Sequence, residues 1–420
     1  MPVTRLALTL LVAALAACGG GGGGGSRSAS PFPIATDLSS GGGVAAAWGG
    51  DRYLVTFGDD TSRGGSDVFG VRLSKDGEVL DSAPFLLSDF GSSPFLIPGA
   101  LYSPGGIAFA SEFGVFLFGT GTVGLGPPGQ VVGFVSVPRD GPPGLPATGI
   151  DEQASFSMAQ TSLRSPIAVT TNGSDFLGAY QRILTLVGAF SVSQVLGQIV
   201  AVTEAGVRAQ EAGPFSGIVP PVGGMITSGS PPGVAIARED TLVAWVEESA
   251  REDSPGEVST AVKGVLLRPE SATFVSLADT EAGSYGVAVA GDEESFLVVW
   301  TATTAADPST VSELRALRFT RGGSPEPPGG FLIAGGGSAK QLGGASYADG
   351  VFLVAWLESG VLRGARLGRT GDDADVFTID PGPDADVALA TDGKRFLAAF
   401  ERVNGTTSSD VLGTFVRARP

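Results

Sequence analysis

The sequence predicts an all-β chain: a seven-bladed β-propeller of four-stranded antiparallel blades, closed by the N-terminal strand completing the last blade. Three observations predict it. An apolar stretch ending in an aromatic recurs seven times after residue 40, at intervals of 44 to 65 residues. A strand of small residues precedes each copy, across a short polar turn. Glycine reaches 65 of 420 residues while charged residues are only 16%, a balance suited to short strands and many hairpins. A repeat of this length built from strands cannot bury both faces alone, and radial stacking is the arrangement that does so.

The aromatic-ended stretches are Tyr53-Leu-Val-Thr-Phe57, Val115-Phe-Leu-Phe118, Phe176-Leu-Gly-Ala-Tyr180, Thr241-Leu-Val-Ala-Trp245, Phe296-Leu-Val-Val-Trp300, Phe352-Leu-Val-Ala-Trp356 and Phe396-Leu-Ala-Ala-Phe400. They are apolar at successive positions, as expected of a sheet sandwiched between two others. The strand before each carries a small second residue: Ala45, Ala108, Ala168, Ala235, Ala288, Ser346 and Ala388. Only small side chains fit where strands converge on a propeller axis. A third strand places glycine or alanine at one position, namely Gly70, Gly133, Gly197, Gly264, Ala316, Gly364 and Gly413. Interior strand glycine is unfavourable in itself, so its recurrence predicts close approach by a large neighbouring side chain. The seventh repeat ends after its third strand. Pro31-Phe-Pro-Ile-Ala-Thr-Asp37 is similar to the fourth strand at Pro84-Phe-Leu-Leu-Ser-Asp89 and is expected to complete that blade, removing an exposed edge.

The ends divide the chain into 1–17, a signal peptide; 18–30, a cysteine and glycine/serine tether; and 31–420, a single propeller domain. Arg5 precedes a short apolar run that is too short to span a bilayer. Leu15-Ala-Ala-Cys18 resembles the lipobox of bacterial lipoproteins, and Cys18 is the only cysteine in the sequence. The resemblance implies lipidation at Cys18 and a membrane contact through that anchor alone. Gly19 is not the aspartate that retains such proteins at the inner membrane, which implies the outer membrane of a bacterial cell envelope. The whole pattern resembles exported bacterial lipoproteins with seven-bladed propellers of small-strand and F-L-V-x-W repeats.

Chemistry is narrowed mainly by what is missing. The sequence has no histidine, which removes Ser-His-Asp catalysis and histidine-ligated zinc. A net charge of −17 disfavours nucleic acid and anionic lipid surfaces. Gly119-Thr-Gly-Thr-Val-Gly124 matches a dinucleotide string, but Leu-Gly-Pro-Pro-Gly follows where a helix is required. No cofactor is predicted. The acids Asp372, Asp373, Asp375, Asp380, Asp384, Asp386 and Asp392 match no EF-hand spacing and read as solvated turn residues, so no metal is predicted. Trp245, Trp300 and Trp356 occupy equivalent repeat positions and read as packing between blades, with Trp48 left open.

The resulting expectation is a binding or interaction module for a protein or polysaccharide. The alternatives are an acid-pair carbohydrate-active enzyme on the same scaffold and a purely structural envelope protein. First-to-second turns are short, whereas second-to-third connections are mostly long and varied. Binding usually resides on long, variable loops, so the ligand is expected on that face, with Arg164, Glu247, Glu248, Lys340 and Asp386 as rim candidates. No catalytic residue is singled out.

Overall fold

A computed structural model describes residues 28–39, 43–60, 66–88, 106–109, 113–122, 129–141, 147–148, 159–173, 175–186, 190–203, 206–214, 232–251, 254–280, 283–304, 310–369, 374–382, 384–405 and 408–419. Cys18, the tether as far as residue 27, Asp372 and Asp373 lie outside them, whereas Ser28 to Ser30, read as the end of the tether, lie inside: Ser28 bridges Val416 and the Ala29 N–H donates to the Phe415 carbonyl.

The described strands form seven four-stranded antiparallel sheets. β1 (Phe32–Ser39) belongs to the last of them. The first sheet is β2 (Val44–Trp48), β3 (Arg52–Asp60), β4 (Ser66–Ser74) and β5 (Phe85–Ser88). The second is β6 (Ile107–Phe109), β7 (Phe113–Thr122), β8 (Gly129–Pro138) and β9 (Ala147–Thr148). The third is β10 (Ala159–Thr171), β11 (Asp175–Leu186), β12 (Phe190–Thr203) and β13 (Gly206–Pro214). The fourth is β14 (Gly233–Ala237), β15 (Asp240–Arg251), β16 (Ser254–Arg268) and β17 (Ser271–Thr280). The fifth is β18 (Ser284–Gly291), β19 (Ser295–Thr303), β20 (Val311–Thr320) and β21 (Pro325–Ala334). The sixth is β22 (Lys340–Ala348), β23 (Val351–Glu358), β24 (Val361–Gly368) and β25 (Ala374–Asp380). The seventh joins β26 (Asp384–Thr391), β27 (Arg395–Val403) and β28 (Ser408–Arg417) to β1, in the order β1-β28-β27-β26.

The sheets stack radially as a β-propeller, first strands innermost. β2, β6, β10, β14, β18, β22 and β26 neighbour one another in that order, and β26 also neighbours β2. Alternate residues of one strand serve opposite neighbours, the property that makes second strands apolar on both faces. Phe296, Val298 and Trp300 pack with Leu242 and Leu266 of the fourth sheet. Leu297 and Val299 pack with Phe352, Val354 and Trp356 of the sixth. Trp245, Trp300 and Trp356 are buried between sheets. Trp48 is also spoken for: its ring lies 4.5 Å from that of Tyr53, packed between the seventh and first sheets.

The third-strand glycines have the expected cause, and it comes from the fourth strand. Phe85 lies opposite Gly70, Phe331 opposite Ala316, Phe377 opposite Gly364 and Phe32 opposite Gly413. A Cβ added at Gly70 would sit 2.6 Å from the Phe85 ring, and one at Gly413 would sit 2.7 Å from Phe32. β1 therefore repeats the fourth-strand arrangement on β28. The second, third and fourth sheets depart from this: Thr148 lies opposite Gly133, Gly213 opposite Gly197, and Phe274 faces Val265 rather than Gly264 and is 63% exposed.

The short turns are held by polar side chains. Asp392 accepts the N–H groups of Lys394 and Arg395, and Asp292 those of Glu294 and Ser295. The same aspartates, or their equivalents, tie neighbouring sheets. Arg139 pairs with Asp51 at 2.5 Å, Arg321 with Asp240 at 2.7 Å, Arg369 with Asp292 at 3.3 Å and Arg419 with Asp349 at 3.3 Å. Each arginine follows a third strand, and each aspartate lies in the first-to-second turn of the preceding sheet or, for Asp240, opens the second strand just after it.

The second-to-third connections differ from their reading as loops. β11 and β12 stay paired out to Leu186 and Phe190, and β15 and β16 out to Arg251 and Ser254. Segments such as Ile183-Leu-Thr-Leu and Val258-Ser-Thr keep strand-forming residues, so ribbon pairing satisfies backbone groups that a loop would leave to water. In the sixth sheet this connection is only Ser359-Gly360, both at positive φ, the two-residue hairpin turn.

Candidate functional site

The sequence-predicted rim residues lie on four different sheets. Arg164 is in β10 with its Cα opposite Gln181, and Glu248 is in β15 opposite Thr260. Glu247, opposite Ala261, is half-buried. The other two are corrections. Lys340 is not a solvent-facing rim residue: its Nζ is buried, 3.0 Å from Glu358 and 3.2 Å from the Ser338 carbonyl. It opens β22 directly opposite Glu358, so the register turns it into the sheet edge. Asp386 is turned inward as well. Its carboxylate accepts the Val44 N–H at 2.8 Å and the Val387 N–H at 2.9 Å, joining the innermost strands of the seventh and first sheets.

Asp386 nevertheless marks the most unusual place in the fold. The residue before each innermost-strand core is Gly43, Gly106, Pro166, Gly233, Gly286 and Gly344 in sheets one to six, and Asp386 in the seventh. The residue after each second-strand aromatic is Gly58, Gly119, Gln181, Val246, Thr301 and Leu357, and then Glu401. Asp386 and Glu401 lie directly opposite one another on β26 and β27. Only the seventh sheet carries acids at both positions. Directly opposed like charges are unfavourable, so this exception to the repeat needs a cause other than packing.

A bulge between Asp384 and Asp386 puts two acidic groups on opposite faces of the same sheet. Asp384 pairs with Arg402 and Asp386 with Glu401; Glu401 and Arg402 are consecutive and so point to opposite sides. On the side of the sixth sheet, Arg402 bonds Asp380 and lies 3.4 Å from Asp384. Both carboxylates are buried, which corrects the reading of these two acids as solvated turn residues: Asp380 and Asp384 pack against Arg402 rather than water, while Asp392 holds a turn as expected. Burial pushes the Asp384 carboxyl up to about 7, with Asp380 adding to the rise and Arg402 opposing it. On the side of the first sheet, burial pushes Asp386 up to about 6; its two backbone donors oppose the rise and Glu401 adds to it.

Sequence reasoning missed Asp380, Asp384, Glu401 and Arg402 as site residues. The available signal was the break in the repeat at Asp386 and Glu401. Among the described residues, no group of three His, Cys, Asp or Glu side chains could hold a metal ion.

Neither a family model nor a curated protein matches the sequence. Solved structures do. A Trypanosoma rangeli sialidase in complex with sialic acid matches at 8% identity and a TM-score of 0.45, over 83% of this chain and 56% of that one. A prolyl endopeptidase matches at 11% and 0.47, over 92% and 51%. A Penicillium chrysogenum α-L-arabinanase complexed with arabinobiose matches at 11% and 0.45, over 92% and 98%. The chain spans a little over half the length of the sialidase and about half that of the endopeptidase. The likeness is one of fold and does not bear on what this chain does.

Proposed function

We propose that the chain is a carbohydrate-active propeller, a ring of seven blades sealed by β1, whose Asp386 and Glu401 act as an acid pair on a glycosidic bond. The observation that carries this reading is the pair itself, two opposed carboxyls where every other blade places uncharged residues. Directly opposed strand residues have Cβ atoms about 4.5–5.5 Å apart. That suits two-acid glycoside hydrolysis, which works with carboxyls separated by about 5–9.5 Å. Asp386, raised to about 6, keeps a proton to give the leaving oxygen at mildly acidic pH. The Glu401 carboxylate attacks the anomeric carbon or activates water. The reading includes an envelope location through the lipid anchor at Cys18, supported by Leu15-Ala-Ala-Cys18.

A second reading, glycan binding without turnover, is favoured by one contact: both Asp386 oxygens already accept backbone N–H groups. One experiment separates the two. Wild type, Asp386→Asn and Glu401→Gln are assayed against a panel of neutral and acidic oligosaccharides for hydrolysis and, separately, for binding. The enzyme reading expects each variant to lose about 10²–10⁴-fold in kcat with little change in KM, and the wild-type rate to fall as Asp386 loses its proton above pH 6. Binding by wild type with no hydrolysis supports the second reading. Neither binding nor hydrolysis overturns both.

A further inference from the structure

We propose that Asp380, Asp384 and Arg402 form a proton-operated clasp that fixes the start of β26, and with it the acid pair on the other face of the same strand. Its functional meaning rests on the acid-pair reading; its existence does not.

The clasp joins two sheets. Asp380 ends the fourth strand of the sixth sheet, Asp384 opens the first strand of the seventh, and Arg402 stands on β27 between them. Backbone bonds complete it: Gly382 donates to Asp380 at 2.7 Å, and Asp384 N–H donates to the Gly360 carbonyl at 2.8 Å. Two carboxylates thus share one guanidinium. The Asp384 side chain has no exposed surface, and its Oδ2 has no hydrogen-bond partner among the described residues. Ionising both acids would leave a buried negative charge uncompensated, which is far more costly than a neutral carboxyl. One proton on the pair, at Asp384, removes that cost.

The surrounding charges do not supply the missing cation. On the sixth sheet, Lys340 from β22 and Arg363 from β24 both go to Glu358 of β23, at 3.0 and 3.5 Å. Within β27, Glu401 points to the other face, towards Asp386, and Asp410 of β28, opposite Arg402, is a further acid whose carboxylate accepts from the Asp37 N–H and Asn404 Nδ2. β2 carries no charged residue. Burial raises Asp384 to about 7 and Asp386 to about 6. The folded state therefore holds protons that the unfolded chain releases near pH 4. Stability from both groups is lost as pH rises from about 4, and between pH 6 and 7 the loss falls mainly to Asp384.

The test reads the clasp without any substrate. Hydrogen exchange at the amides of Gly382 and Asp384 is measured on the full chain at pH 5.5, 6.5 and 7.5, corrected for intrinsic rates. Wild type should lose up to roughly tenfold in protection between pH 6 and 7. Asp384→Asn should abolish that loss, and Asp380→Asn, which leaves one acid for one guanidinium, should flatten it too. Should Asp384→Asn fold poorly, Asp380→Asn alone decides. Protection independent of pH in wild type, or an unchanged loss in a folded variant, overturns the proposal. A clasp that titrates in a protein whose Asp386→Asn change has no effect on glycans would sink the acid-pair reading and leave the clasp standing.

Discussion

Removing residues 28–39 should lower the melting temperature of the whole domain by roughly 10 °C. β1 is the fourth strand of the seventh sheet, and Ile34, Ala35 and Leu38 belong to the core shared with Tyr53, Val55 and Phe57 of the first. Phe32 packs over Gly413 and reaches Gly77 across the seam. At about 1.5–3 kcal/mol per buried large side chain, Phe32, Ile34 and Leu38 together contribute about 4.5–9 kcal/mol. That is a large part of the 5–15 kcal/mol by which folded domains usually exceed their unfolded state. Loss of the strand also bares the edge of β28. Calorimetry of the truncated protein, with and without a peptide of residues 28–39 added in trans, checks this. Unchanged melting would show that β1 contributes nothing to the core, and recovery with the peptide would show that the contribution is β1's own.

Gly291→Ala should cost about 3 kcal/mol or more, the upper range for overpacking. Gly291 ends β18, and an added Cβ would stand 2.1 Å from the carbonyl oxygen of Ile236 and 2.7 Å from its carbon. Those are backbone atoms of β14 in the neighbouring sheet, so no side-chain rotation relieves the contact. The two sheets would have to separate, thinning the core that holds Trp300 and Leu242. Gly368→Ala is the control, with nothing within 4 Å of the added atom and an expected change within about 0.5 kcal/mol. Urea unfolding of both variants checks the difference. Equal midpoints would refute close approach at this seam.

The architecture was legible because it is written seven times. Apolar pattern, small inner strands and third-strand glycines each report one geometric constraint of radial packing, and the agreement of Pro31–Asp37 with Pro84–Asp89 extended to register, with Phe32 and Phe85 each opposite a glycine. The partner of those glycines was not legible, since sequence says that something large comes close but not which strand brings it. The candidate site was largely hidden for a related reason. Aspartate favours turns wherever it stands, so Asp380 and Asp384 looked like solvent-facing turn residues until the packing of Arg402 removed the water. Lys340 looked exposed because its pairing with Glu358 depends on a register that the sequence leaves open. Asp386 and Glu401 were visible all along as departures from the repeat, and a search for known catalytic spacings passes over them.

The aspartates at the first-to-second turns pair in one direction, the turn of one sheet offering the acid and the next sheet the base, while Arg52–Asp140 and Arg395–Asp76 cross in the opposite sense. Every blade boundary that carries such a pair is therefore a heterologous, head-to-tail contact and not a self-complementary one. Such contacts close into a ring or grow as an open filament, according to the rotation between units. In the intact chain the angle closes. A fragment ending within the array would present an unpaired acid turn at one end and an unpaired arginine at the other. It would meet its own copies in the same sense in which the blades meet one another, and truncated chains should accordingly build mixed rings or fibres rather than symmetric dimers.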